Sequence, residues 1–420
     1  VAVGAVLLAL ALARVPVFER FVLKAEDLQR ALFADGRGDA RIVLVEVDQA
    51  SLDHFERDNI PFPWPRSLYD PLLEHSARGG AAAVLFDVLF NNRTPWGEET
   101  DAEFAGAIRA SGRVHLAAAF SRGGGSGSPL EERLSLAVAG AAPAALAREA
   151  VSPPLPELRE AAAGVGSVTF TPDADGVARR VPLGALLGGR LVPTLAAAPL
   201  AAGAGEVRFE PGRARIGDLA VPLDDCGALL VRFRGARGIY RSYSAAEVIA
   251  SAVAAAEGKT PAVPAEAFRG AYVIVGYTAP GLLDLKPTPL SPNAPGFEVH
   301  AAVLDNLLNR DFLRAAPPIA TAALALLAAA QQHDSCTLAA SPYRDRWSPS
   351  TWSNGARRCG GRPRIKTRSQ SRTAGPVTVI GSCLAPSTVP LRLRSSGFRR
   401  TINDSNRSSS LHSTYRYAFC

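Results

Sequence analysis

The sequence predicts a mixed α/β domain: a mostly parallel sheet flanked by helices, with an inserted antiparallel hairpin region and partial transmembrane helices at both ends. Three observations predict it. RIVLVEVD (41–48) and AAAVLFDVLF (81–90) are continuous apolar runs that each reach an acid, as strands buried on both faces do. A helical segment separates them. Farther on, short alternating stretches are punctuated by Gly and Pro, which is the pattern of hairpins.

The helix between the first two strands is PRSLYDPLLEHSARGG, which starts after Pro65, stops at Gly79 and repeats its apolar residues at Leu68, Leu72 and Leu73. Asp101 to Ala110 reads as a second helix, followed by the strand VHLAAAF (114–120) and a flexible GGGSGSP loop. An Ala-rich stretch without clear period comes next. GVGSVTFTPDADGVARRVPLGALL (164–187) then predicts two short strands joined at Pro172 to Gly176 as a hairpin. VRFEPGRARIGDLAVPL repeats the pattern, with turns near PGR and GD. The strand ALLVRF (228–233), the helix SAAEVIASAVAAAEG (244–258), the strand AYVIVG (271–276) and the helix of residues 296–309 close the domain.

Charge divides the chain in two. Residues 1–332 carry 31 Lys+Arg against 36 Asp+Glu, whereas residues 333–420 carry 15 against 3 and contain no Glu. The net +7 therefore sits in the last fifth, and the organised part offers no basic surface for nucleic acid. Residues 333–420 show neither the helical nor the strand period. Their Ser/Arg-rich composition matches a shifted reading frame or a disordered basic tail, and no fold is assigned to them. Of the five cysteines, Cys226 alone precedes residue 333, and no C-x-x-C pair suggests a structural zinc site.

Residues 1–14 form a charge-free run up to Arg14, and residues 317–332 form another after a proline pair. Both are shorter than the ~20 residues needed to span a bilayer. The expectation is that each is part of a longer transmembrane helix. The chain has no Met, so Val1 is read as a non-standard start or an internal point of a longer parent.

Candidate chemistry is sparse. Gly258-Lys259-Thr260 follows a helix instead of opening one, and position 253 is Val where a phosphate-binding loop needs Gly. Asp173 and Asp175 in PDADG suggest a calcium loop only superficially, because no Glu closes it; Asp before Gly is first a turn former. Asp48 and Asp87 end what read as adjacent strands, where open α/β sheets place ligand groups. They can hold a divalent ion or a cationic ligand, or they can cap the following helices or share a hydrogen-bond network, which is the favoured reading. His300 lies in the last helix. At ~100° per residue it falls within the apolar arc of Phe297, Val299, Val303, Leu304 and Leu307, while Glu298 and Asp305 fall on the other side. A buried packing histidine satisfied by a loop carbonyl is the expectation. No catalytic, metal-binding or cofactor-binding set emerges.

Four blocks in order, RIVLVEVDQASL, FPWPRSLYDPLLEHSARGGAAAVLFDVLF, PDADGVARRVPL and VIVGYTAPGLLDLKPTPLSPNAPGFEVHAAVLDNLLNRDFLR, resemble the CHASE type 2 domain over about residues 20–315. Within them Trp64, Arg66, Asp173, Gly176, Arg179, Gly276, Gly296, His300 and Asp305 are taken as structural motif positions. The resemblance implies an extracytoplasmic sensor of a bacterial membrane receptor, entered by one transmembrane helix and followed by others and a cyclase, histidine kinase or Ser/Thr kinase module. No such module is legible here. The implied partners are an unknown small-molecule or environmental signal, the plasma membrane and a second copy of the chain, with no nucleic acid and no cofactor. The competing readings are a periplasmic metal-assisted hydrolase using Asp48 and Asp87, and a wall-facing adhesive domain.

Overall fold

The computed structural model describes residues 16–123, 130–282 and 285–315. The first helix, α1 (Pro16–Leu32), turns Leu23 and Asp27 toward the body and leaves Leu28 and Leu32 exposed. The main sheet begins with β1 (Ile42–Val47), followed by α2 (Gln49–Arg57), a 3-10 turn at Arg66–Tyr69 and α3 (Asp70–Arg78). Next come β2 (Ala83–Phe86), α4 (Glu98–Ser111) and β3 (Val114–Ser121). Gly112 adopts a left-handed φ of 63° and stops α4, a conformation open to Gly without a Cβ penalty.

The Ala-rich stretch that the sequence left unresolved contains β4 (Leu136–Ala139), β5 (Ala150–Ser152) and α5 (Pro156–Ala161), and leads to β6 (Gly164–Ser167). Then follow β7 (Arg180–Pro182), β8 (Gly184–Leu187), β9 (Arg190–Pro193), α6 (Ala198–Ala201), β10 (Glu206–Glu210), β11 (Arg213–Ile216), β12 (Leu219–Pro222) and β13 (Ala228–Leu230). The chain returns to the main sheet with β14 (Arg241–Ser244), α7 (Ala245–Ala256) and β15 (Tyr272–Tyr277). A hairpin of β16 (Leu285–Thr288) and β17 (Ser291–Pro295) delivers the chain to α8 (Gly296–Asn309).

The seven-stranded sheet runs β14-β1-β15-β2-β3, with β3 flanked by β6 and by β5. All of its pairings are parallel except β3 with β5. The crossovers β1 to β2, β2 to β3, β3 to β6 and β14 to β15 all advance in the same direction along the sheet, so right-handed connections place their helices on one face; the long β6-to-β14 connection returns the other way. The packing agrees: Val43, Val45, Val84, Phe86, Val273 and Val275 meet Phe55, Leu72, Phe104 and Val248 from those helices in one core cluster. The alternate residues Ile42, Leu44, Leu85 and Ile274 face the other way, as the two-residue period of a strand requires. There they meet α8 and a six-stranded sheet of order β12-β11-β10-β4-β9-β8.

The mixed α/β class, the helical flanks and the antiparallel insertion are as the sequence predicts, and β10, β11 and β12 form the expected meander. The first expected hairpin does not form. Its turn is present, with Gly176 N donating to Asp173 O at 2.8 Å, but β6 pairs with β3 and β7 pairs with β13. The turn chemistry was local, whereas the strands' partners lie elsewhere. The actual hairpin is β8-β9, through Gly188-Gly189, both with positive φ. Of the expected strand 228–233, only Ala228–Leu230 is extended in a ladder.

A second correction concerns α8. The helical wheel puts Asp305 opposite the apolar arc, yet it is fully buried, because the helix is enclosed by the sheet on one side and by residues 230–241 on the other. The expected transmembrane portions, residues 1–14 and 317–332, and the tail from 333 lie outside the described residues. Among the described residues no helix is long and apolar enough to cross a membrane.

Candidate functional site

Asp48 follows β1 directly and its extended backbone makes it the N-cap of α2. Its Oδ1 accepts from Ser51 N at 2.8 Å, from Ser51 Oγ at 2.6 Å and from Ser244 Oγ at 2.9 Å. Ser51 Oγ in turn accepts from Ala246 N at 3.1 Å, so one carboxylate fastens the starts of α2 and α7. The capping role and the shared network are both realised. Asp48 also lines an open cleft of ≈ 450 Å³ with Glu46, His54, Tyr243 and Glu247. The three carboxylates Glu46, Asp48 and Glu247 among the lining residues suit a cationic ligand. Glu46 is already paired with Arg237 at 2.9 Å.

Asp87 does not join this cleft. The strands β1 and β2 are not adjacent, because β15 lies between them. Sequence alone could not anticipate this, since β15 arrives from about 190 residues downstream. Asp87 N donates to Val275 O at 2.9 Å, and its carboxylate lies near Tyr277, whose phenol burial pushes up to about 12, with the Asp87 charge adding to the effect. The paired-acid geometry that metal-assisted hydrolysis requires is therefore not formed, and no group of three potential metal ligands occurs among the described residues.

The remaining motif residues build three buried arginine sites and one close contact. Arg66 meets Asp101 at 2.7 Å, donates to Asn92 O and lies 5.3 Å from the Phe90 ring centroid. Trp64 stands beside it, packed edge-on against Phe55 and Phe62. Arg179 is fully buried and forked between Asp27 of α1 at 2.6 and 2.8 Å and Asp175 at 2.8 Å, with Asp173 at 3.1 Å. The hydrogen bonds from Arg179 hold the Asp175 carboxyl down to about 2. The two aspartates of PDADG are thus ligands of a guanidinium instead of a calcium ion, and Gly176 supplies the φ of 81° that closes their turn.

Arg234 is the third. Its guanidinium meets Asp305 of α8 at 2.8 Å, Asp311 at 3.0 Å and Asp35 at 3.3 Å. Asp305 also accepts from Asp39 N at 2.8 Å, and Gly36 N donates to Arg234 O at 2.7 Å. The segment leaving α1 and the segment leaving α8 are consequently held at one point. Gly276 lies under Phe297, Gly296 starts α8 in a buried position, and His300 is buried with its ring edge-on to Phe170 at 6.3 Å. Sequence reasoning missed Asp27, Asp101 and Arg234. Their partners in these buried sites, Arg179 for Asp27, Arg66 for Asp101 and the three aspartates for Arg234, are 35 to 199 residues away, so no local pattern marks the pairings.

These positions come from all four blocks whose order suggested a sensor domain, and a family model for the CHASE2 domain matches residues 2–331. The chain belongs to the CHASE2 domain family. CHASE2 domains are extracellular sensory domains of signalling receptors and are not catalytic. No match is found among curated proteins or among solved structures. In this CHASE2 domain the motif positions that the structure brings together are buried ion pairs and packing contacts, and Asp48 lines the open cleft.

Proposed function

We propose that this CHASE2 domain is the periplasmic sensor of a dimeric receptor in the bacterial plasma membrane, coupled to an output module of the cyclase, histidine kinase or Ser/Thr kinase type. The observation that carries the reading is the convergence of residues 35–39 and 305–311 on Arg234. A receptor must transmit ligand state from a domain to the chain on either side of it, and a shared buried ion pair couples those segments. The ligand would enter the cleft at Asp48, where the carboxylates favour a cation. Such a ligand shifts the receptor only if it prefers one of two arrangements of this junction.

The test is a chimera in which residues 1–331 are placed ahead of an intact cyclase module in bacterial membranes. Cationic metabolites are screened for a change in cyclic nucleotide output. The expected result is a response that Asp48→Asn abolishes and that Asp87→Asn leaves intact. A normal response from Asp48→Asn would remove the cleft from the reading, and recovery of the chimera in the supernatant after membranes are pelleted would remove the receptor.

A further inference from the structure

We infer that a second cavity, chemically opposite to the Asp48 cleft, binds a short aliphatic monocarboxylate through Arg133 and Arg190. The cavity is open, measures ≈ 390 Å³ and lies where β6 meets the six-stranded sheet. That volume falls within the range of small-molecule sites.

Its polar rim is positively charged. Arg133 Nη1 donates to Ala162 O at 2.9 Å, and its Nη2 donates to Arg159 O at 2.6 Å and Glu160 O at 3.1 Å. Arg190 Nε donates to Ser135 Oγ at 2.8 Å, and its Nη2 donates to Glu132 O and Ser135 O, both at 3.1 Å. All of these acceptors are uncharged. Among the described residues neither guanidinium forms an ion pair, in contrast to Arg66, Arg159, Arg179 and Arg234, each of which has a carboxylate. A guanidinium carries five N–H donors. The bonds above leave Arg190 Nη1 and Arg133 Nε uncommitted, while fixing both planes in place before any ligand arrives. An anion therefore meets oriented donors at little ordering cost.

The rest of the wall decides what kind of anion. Leu134, Leu136, Val165, Pro193, Ala198 and Ala201 give the cavity an apolar body that has no use for a fully hydrated ion such as phosphate. Glu132 shares the rim and opposes a second negative group. One carboxylate with a short hydrocarbon chain satisfies both surfaces. This inference does not depend on the Asp48 cleft or on the receptor reading.

The experiment is calorimetric titration of the full chain with sodium hexanoate, compared with adipate, 1-hexanol and inorganic phosphate. Hexanoate is expected to bind at least about tenfold more tightly than each of the three, the factor that one charge-assisted hydrogen bond supplies. Arg190→Gln should remove that margin. Because Arg190 and Arg133 both also hold carbonyls, Arg133→Gln is accompanied by a variant that removes no such bond, Ala202→Trp at an exposed position, which fills the mouth of the cavity. Both should weaken hexanoate by about tenfold while Asp48→Asn leaves it unchanged. Equal binding of hexanoate and hexanol, equal binding of hexanoate and phosphate, or undiminished hexanoate binding by Ala202→Trp would each overturn the assignment.

Discussion

Gly276 of β15 lies directly beneath Phe297 of α8: a Cβ at position 276 would come within 2.5 Å of the ring and 2.7 Å of the Phe297 Cβ. The ring cannot swing clear, because its own attachment point is part of the contact. Gly276→Ala should therefore push α8 off the sheet and cost about 1–3 kcal/mol. Urea denaturation measures the loss. Combining it with Phe297→Leu should recover part of it, with a coupling of at least ~0.5 kcal/mol in a double-mutant cycle. Additive losses would show that the two positions do not press on each other.

Arg179→Met should be more severe, because it leaves Asp27, Asp173 and Asp175 buried or half-buried with their common cation removed. Breaking one side of a buried ion cluster costs about 3–5 kcal/mol. Arg179→Lys should recover little, since an ammonium with three donors cannot reproduce the bidentate pairs that the guanidinium makes with both Asp27 and Asp175. Limited proteolysis distinguishes this from general unfolding: α1 is expected to be released by cleavage between residues 33 and 41 before the sheet opens.

How far the sequence reached follows from the range of the interactions involved. The continuous runs of β1, β2 and β15 and the alternation in β10 to β12 are local, so their existence and type were legible. Strand order was not, because the insertion of β15 between β1 and β2 depends on pairing across the chain. Asp48 was legible as a cap because its partner Ser51 is three residues away. Asp305 was misplaced because a helical wheel assumes one buried face, and α8 is buried nearly all round.

His115 should make the domain sensitive to acid. It is 3% exposed, and burial lowers its pKa from 6.5 to about 4. Between these values the unfolded chain binds a proton that the folded chain refuses, so stability falls as pH drops from 6.5 toward 4, by about 3 kcal/mol in all. The C2 proton of His115 should titrate near pH 4 in NMR spectra. A midpoint near 6.5 in the folded protein would contradict its burial.

Glu298 should act in the opposite direction. Burial raises its pKa from 4.5 to about 7, with Glu46 reinforcing the effect and Arg237 opposing it. The folded chain keeps a proton that the unfolded chain has lost, so stability declines as pH rises from 4.5 to 7. Glu298→Gln should raise Tm at pH 8 and leave it nearly unchanged at pH 4. A lower Tm at pH 8 would mean that the contact with Arg237, 3.5 Å away, dominates.

The guanidinium of Arg234 also has a mechanical consequence. With Asp35 on the incoming strand of chain and Asp305 and Asp311 on the outgoing one, tension applied to the two termini loads the same short-range bonds in parallel instead of peeling the sheet one residue at a time. Stretched between its ends, the domain should resist until this rivet fails and then yield abruptly.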